Sequence, residues 1–172
     1  MVALVSQIPY GRPGQLARGV HDQTTLPYTL DLTDRSVWLA YEMGMPVKRS
    51  TVDAQKIVPF SGGETEADLL GFLVSAYPGD AVDVNAQAGD AVSLRSLVKD
   101  VLRRGFILVE TQGSGTPAGG GQVFVRIAGA TSALKIGGIE AAADGSNTIA
   151  LSKAFFSGSP DANGIACIEY NI

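Results

Sequence analysis

Gly137-Gly138-Ile139-Glu140-Ala141-Ala142-Ala143-Asp144-Gly145-Ser146-Asn147-Thr148-Ile149-Ala150-Leu151 leads into Phe155-Phe156-Ser157-Gly158. Asp161-Ala162-Asn163-Gly164-Ile165-Ala166-Cys167-Ile168-Glu169-Tyr170-Asn171-Ile172 follows. Short apolar runs alternate with Gly, Asn and Asp clusters. β-Branched and aromatic side chains fit a pleated surface, while Asp and Asn bend the chain by bonding their own backbone. The stretch reads as strands at 148–151 and 165–172, with turns at 144–147 and 160–164. Residues 132–136 read as another short strand.

Outward from this stretch, Val123-Phe124-Val125-Arg126-Ile127 alternates, so 123–128 is a strand. Residues 112–121 form a glycine-rich loop, read as a hairpin loop, and Phe106-Ile107-Leu108-Val109-Glu110 is a strongly apolar strand. Before it, Val92, Leu94, Leu97, Val98, Val101 and Leu102 fall on one broad helical face, with Lys99, Asp100 and Arg103 opposite. Ser93 suits an N-cap and Gly105 the C′ position, so one helix is expected over about 93–104. Gly79-Asp80-Ala81-Val82 recurs as Gly89-Asp90-Ala91-Val92, and two copies do not make a solenoid.

Further upstream, 69–76 is a strand apolar on both faces, 65–68 a single helical turn, and 56–60 an edge strand because Pro59 lacks an N–H. Val37-Trp38-Leu39-Ala40-Tyr41 reads as a buried or interface strand, with Trp38 either core or subunit contact. Tyr28-Thr29-Leu30-Asp31-Leu32 alternates. Residues 1–26 are broken by Pro9, Gly11, Pro13, Gly14 and Gly19, and carry Arg12 and Arg18. They read as an irregular N-terminal arm, either a loosely ordered terminus or, the favoured reading, a segment that orders on a neighbouring subunit. Residues 27–172 then form a single mainly-β domain.

With 172 residues the chain is long enough to bury a core. Charged residues are 17% and hydrophobic ones 45%, which argues against disorder, and 21 glycines favour turn-rich β structure. A net charge of −4 with scattered cations leaves no footprint for nucleic acid. No run approaches a membrane span. The lone Cys167 excludes an intrachain disulfide and reads as a small core hydrophobe. No signal peptide is visible, so a soluble protein made in the cytoplasm is expected.

Patterns for catalysis fail one by one. Gly113-Ser114-Gly115-Thr116-Pro117-Ala118 matches a dinucleotide fingerprint, but a β pattern follows where a helix is required. Ser96-Leu97-Val98-Lys99 and Ser132-Ala133-Leu134-Lys135 match Ser-x-x-Lys without its companion motifs. His21, the single histidine, has no Gly-x-Ser-x-Gly partner. Neither the group Asp80, Asp83 and Asp90 nor the group Asp144, Asn147, Asp161 and Asn163 has calcium-loop spacing. No catalytic, cofactor or metal site is assigned, although a carboxylate pair such as Asp80 with Asp90 is left as the residual hydrolase reading.

Val123–Ile127, the Gly-Gly-Ile-Glu-Ala-Ala-Ala-Asp-Gly run, the Asp-Ala-Asn-Gly-x-Ala-x-Ile ending, Gly71-Phe72-Leu73-Val74 and Tyr77-Pro78-Gly79-Asp80 together resemble the structural cement, or capsid decoration, proteins of tailed bacteriophages. That family runs more directly between strands at 82–104, so the expected helix would be an insertion. The resemblance implies a virion protein on the outer capsid surface that bridges and stabilises adjacent major capsid protein subunits. It also implies a homodimer or homotrimer, and the charge and hydropathy readings above add that no nucleic-acid or membrane partner is expected. The strand spacing points to an antiparallel β-sandwich of jelly-roll type or a small barrel. From composition alone, Arg12, Arg18, Trp38, Tyr41, Gly115 and Gly119 are the expected interface residues. The alternative is a jelly-roll-like, host-glycan-binding or tail-associated virion protein, for which 7% aromatic residues is lean.

Overall fold

A computed structural model describes residues 11–17, 23–39, 41–75 and 98–171. The described residues are mainly β. Nine strands run β1 Thr24–Leu30, β2 Pro46–Arg49, β3 Lys56–Pro59, β4 Gly71–Leu73, β5 Val98–Gln112, β6 Gln122–Arg126, β7 Ile139–Glu140, β8 Thr148–Phe156 and β9 Ile165–Asn171. One short helix, α1, spans Ser36–Leu39.

Their pairing closes two rings that share β5. The sheet order is β1-β3-β2-β4-β5-β7-β6-β8-β9, and extra pairings join β1 to β5 and β5 to β9. The first ring is therefore β1-β3-β2-β4-β5 and the second β5-β7-β6-β8-β9. Of the two expected architectures, closure as small barrels is the one observed, and closure removes sticky strand edges. β5 spans 15 residues because it serves both rings. Its first half pairs with β1 from Val98 to Arg104, and its second half with β9 from Arg104 to Glu110.

Each ring holds its own core. Leu30, Trp38, Met45, Val47, Ile57, Leu73 and Val101 fill the first. Ile107, Val109, Val123, Val125, Leu151, Phe156 and Ile168 lie in the second. β4 and the first half of β5 are the wall between them. Leu73 and Val101 enter the first core, whereas Phe72 and Leu102 enter the second. Phe72 meets Tyr170 of β9 edge to face, ring centroids 5.1 Å apart.

That wall corrects the expected helix over about 93–104. Residues 98–104 are strand, and 93–97 lie outside the described residues. A strand buried on both faces places apolar side chains at neighbouring positions, which imitates a broad helical face. Lys99, expected to face away, is buried. Gly105 is not a helix cap. It sits inside β5 at φ +129, where the strand passes from one ring to the next, and a Cβ there would lie 2.6 Å from Gln23 Cγ.

Other expectations also shift. Where a strand is expected over 37–41, α1 takes residues 36–39, and Trp38 plugs the first ring by donating its indole N–H to the Asp31 carbonyl at 2.7 Å. β3 is not an edge strand: it lies between β1 and β2. Pro59 is tolerated because the β1 pairing ends at Ile57, before its missing N–H matters. Residues 132–136 form no strand, because the Thr131 amide bonds the Leu134 carbonyl and its hydroxyl accepts from the Leu134 amide. The loop 113–121 is not a hairpin loop, since β7 lies between β5 and β6. The 76–97 segment, with its repeated Gly-Asp-Ala-Val, lies outside the described residues.

Candidate functional site

The glycine-rich loop leaves β5 at Gln112 and enters β6 at Gln122. Both ends are held. Gly113, at φ +74, lies so close to Glu140 that a Cβ would come within 2.4 Å of its carboxylate. At the other end the Gly120 amide donates to Phe156 O at 2.7 Å, the Phe156 amide to Gly121 O at 2.9 Å, and Pro117 is buried. Gly115, Thr116, Ala118 and Gly119 are left exposed. The loop is anchored and exposed, with Gly115 close against Ala141 and Ala142, and it leads into a strand where a phosphate cradle would need a helix.

Beside it lies a buried polar network. Arg126 on β6 holds Glu140 on β7 at two points, Nε to Oε1 at 2.6 Å and Nη2 to Oε2 at 3.1 Å. Its Nη2 also reaches Asp144 Oδ2 at 2.8 Å, and Nη1 donates to Ala128 O at 3.2 Å. These bonds, led by the one to Glu140, push the guanidinium further up from its ordinary range. Gln112 adds a bond to the Lys135 carbonyl at 2.9 Å and receives the Lys135 amide at 2.9 Å. The network ties together the loops 112–116, 128–138 and 141–147. Its members are consumed by one another, so it is a scaffold for the surface rather than a reactive centre.

The expected interface residues are dispersed. Arg12 is exposed, and its amide donates to Gln15 Oε1 at 3.4 Å. Residues 14–17 lie on β5 of the same chain, and Arg18 lies outside the described residues. Trp38 and Tyr41 are in the first core, 0% and 4% exposed, their rings edge to face at 6.1 Å. The Tyr41 hydroxyl donates to the Pro46 carbonyl and accepts from the Phe60 amide. Burial pushes that hydroxyl's pKa far up. Neither side chain is presented at the surface of this chain. Gly115 and Gly119 are exposed on the loop, where a Cβ on Gly119 would meet Ser157 O at an ordinary 3.5 Å.

The groups weighed for chemistry are accounted for where they are described. Lys135 pairs with Glu42. Asp161 accepts from the Asn163 and Ile165 amides, each at 2.9 Å, and so closes its own turn. Glu64 is buried. Its burial raises the pKa, but Lys48 at 2.6 Å and the amides of Ser61 and Gly62 outweigh that and hold the carboxyl below its usual value. No cluster of three His, Cys, Asp or Glu suited to a metal ion occurs among the described residues. His21, Asp80, Asp90 and Ser96 lie outside them.

One feature escaped the sequence reading. Residues 14–17 add a short strand to β5 at 106–108, next to a cleft of about 340 Å³ lined by Gln15, Leu16, Ala17, Leu108, Ser157, Gly158 and Cys167. Gly14-Gln15-Leu16-Ala17 is too short to carry a period, so only the tertiary edge of β5 defines it as a strand.

Residues 1–170 match a family model described as XM1 gp53 minor capsid protein. No curated protein matches the chain. Among solved structures, a chain of the capsid of Myoviridae phage XM1 superposes with a TM-score of 0.67 at 16% identity. The match covers 98% of this chain and 95% of that one, and it shows a shared fold.

Proposed function

Because the chain belongs to the XM1 gp53 minor capsid protein family, which gives it a structural role in a phage capsid and a place in the virion, we propose that it is a cement protein. It binds the outer capsid surface and bridges adjacent major capsid protein subunits. This agrees with the resemblance carried by the turn-and-strand motifs. The family match along nearly the whole chain is the observation that supports this reading most. The closed rings suit the task, since they leave little unpaired strand edge for indiscriminate pairing on a crowded shell.

Bridging by many equal copies does not need a large interface per copy. On a lattice, each contact is made at a high effective concentration, so modest surfaces hold strongly together. The anchored, exposed loop at Gly115–Gly119 and the exposed Arg12 are the described candidates for those contacts, and the assembled unit is a homodimer or homotrimer. The test is binding to heads that lack this protein. Saturable binding with a raised disruption temperature supports the reading, and binding to glycans in place of heads transfers it to a host-recognition module.

A further inference from the structure

The second half of β5 has two edges. β9 takes one, from Arg104 opposite Asn171 to Glu110 opposite Ile165. The other edge has three successive occupants. β1 ends at Arg104, residues 14–17 hold positions 106–108, and β7 starts at Thr111. The middle occupant is an antiparallel strand in all but length. Leu16 faces Ile107, the Gly14 amide donates to Leu108 O at 2.7 Å, the Leu108 amide to Gln15 O at 2.9 Å, and the Ala17 amide to Phe106 O at 3.0 Å.

The seat is selective. Gly14 has φ +79, and a Cβ there would lie 2.5 Å from Met43 Cβ and 3.0 Å from the amides of Gly44 and Ser75. The Ser75 amide donates to the Gly14 carbonyl at 2.9 Å. A strand taking this place therefore needs glycine at that position. The tether is also longer than the seat requires. From Leu16 to Thr24 the chain advances eight residues, while β5 runs back three, from Ile107 to Arg104. Three strand residues cover about 10 Å, whereas eight extended residues reach about 26–29 Å.

We propose that residues 14–17 are a donated strand: in the assembled protein they occupy the β5 edge at 106–108 of a second copy, and that copy returns its own. Donor and seat are on the same chain, so reciprocal exchange keeps every contact and needs only two copies side by side. In dilute protein the tether favours the seat on the same chain. At high local concentration the seat on the neighbour competes. The inference deepens the homo-oligomeric part of the cement reading and rests on copies lying adjacent to one another.

The experiment needs no capsid, so its failure is separate from failure to bind heads. In a Cys167→Ser background, full-length Ala17→Cys and Phe106→Cys chains are mixed, unfolded together, refolded over a range of concentrations and treated with a short bismaleimide. The chain carrying both substitutions gives an intrachain product, which verifies the pairing. Exchange predicts a covalent dimer holding one chain of each kind, its ratio to monomer rising about tenfold per tenfold concentration while monomer dominates. Deleting residues 18–22 brings Leu16–Ile107 and Thr24–Arg104 into one continuous register, and should abolish the mixed dimer. An intrachain product in the doubly substituted chain with no mixed dimer at any concentration overturns the proposal.

Discussion

Arg126 and Glu140, both at most 2% exposed, form a two-point ion pair between β6 and β7, on the face opposite the core residues Val125 and Ile139. The pair is the centre of the scaffold under the exposed loops, so removing Glu140 leaves the buried Arg126 charge with only the half-exposed Asp144 carboxylate. Glu140→Ala should therefore cost about 3–5 kcal/mol. Replacing both members, with Arg126→Met and Glu140→Leu, should recover much of that loss, because no unpaired charge remains. Urea denaturation of the two variants measures the difference, and equal destabilisation by the single and double changes would contradict this view.

Gly105 is where the shared strand changes rings. Its φ of +129 and the nearness of Gln23 leave no place for a side chain. Gly105→Ala should cost about 1–3 kcal/mol, whereas a change at the exposed Gly119, which has no such φ, should stay within about 0.5 kcal/mol. Thermal unfolding of both variants checks the contrast.

Asp31 gives the chain a pH dependence of definite sign. Its carboxylate accepts from the Thr33 hydroxyl at 2.7 Å, from the Ser50 hydroxyl at 2.7 Å and from the Thr33 amide at 3.1 Å, which holds its pKa down to about 2. A carboxyl with a lowered folded-state pKa stabilises the fold above its unfolded value near 3.9, and that contribution fades as pH falls towards 2. Wild type should therefore exceed Asp31→Asn in urea midpoint at pH 6, and the gap should shrink between about pH 4 and pH 2. A gap independent of pH would show that shape rather than charge is at stake.

Tyr41 separates core from contact. Tyr41→Phe leaves the Pro46 carbonyl and the Phe60 amide without the hydroxyl they share. The expected loss is about 1–3 kcal/mol of stability, with head binding unchanged while the variant is folded. Arg12→Glu and Gly119→Glu should do the reverse, keeping the unfolding midpoint and weakening head binding several-fold. A several-fold binding loss from Tyr41→Phe, without loss of stability, would restore it to the surface.

Much of the second ring was legible. The strands expected at 106–110, 123–128 and 165–172 carry the β-branched runs and bounding turns that any half-buried strand needs, and strands stand there, at 98–112, 122–126 and 165–171. The single turn at Glu66–Asp68 was marked by Thr65 and Asp68, which accepts the Thr65 amide at 2.8 Å. The wall between the cores was not legible. Val101 and Leu102 are adjacent and both fully buried, one in each core, and period alone cannot separate that from a helix. Trp38 read as a strand residue because aromatic runs favour sheets, yet the indole bond to Asp31 O fixes it on α1. For the contact surface, exposed positions such as Gly119 could be named from loop composition, but burial of Trp38 and Tyr41 depends on ring closure, which no local pattern encodes.

Co-sedimentation of the purified protein with matching expanded heads that lack it, followed by heating, tests the central claim most directly. The cement reading predicts saturation at a fixed ratio to the major capsid protein and a higher disruption temperature. Absence of binding to any capsid form would contradict it.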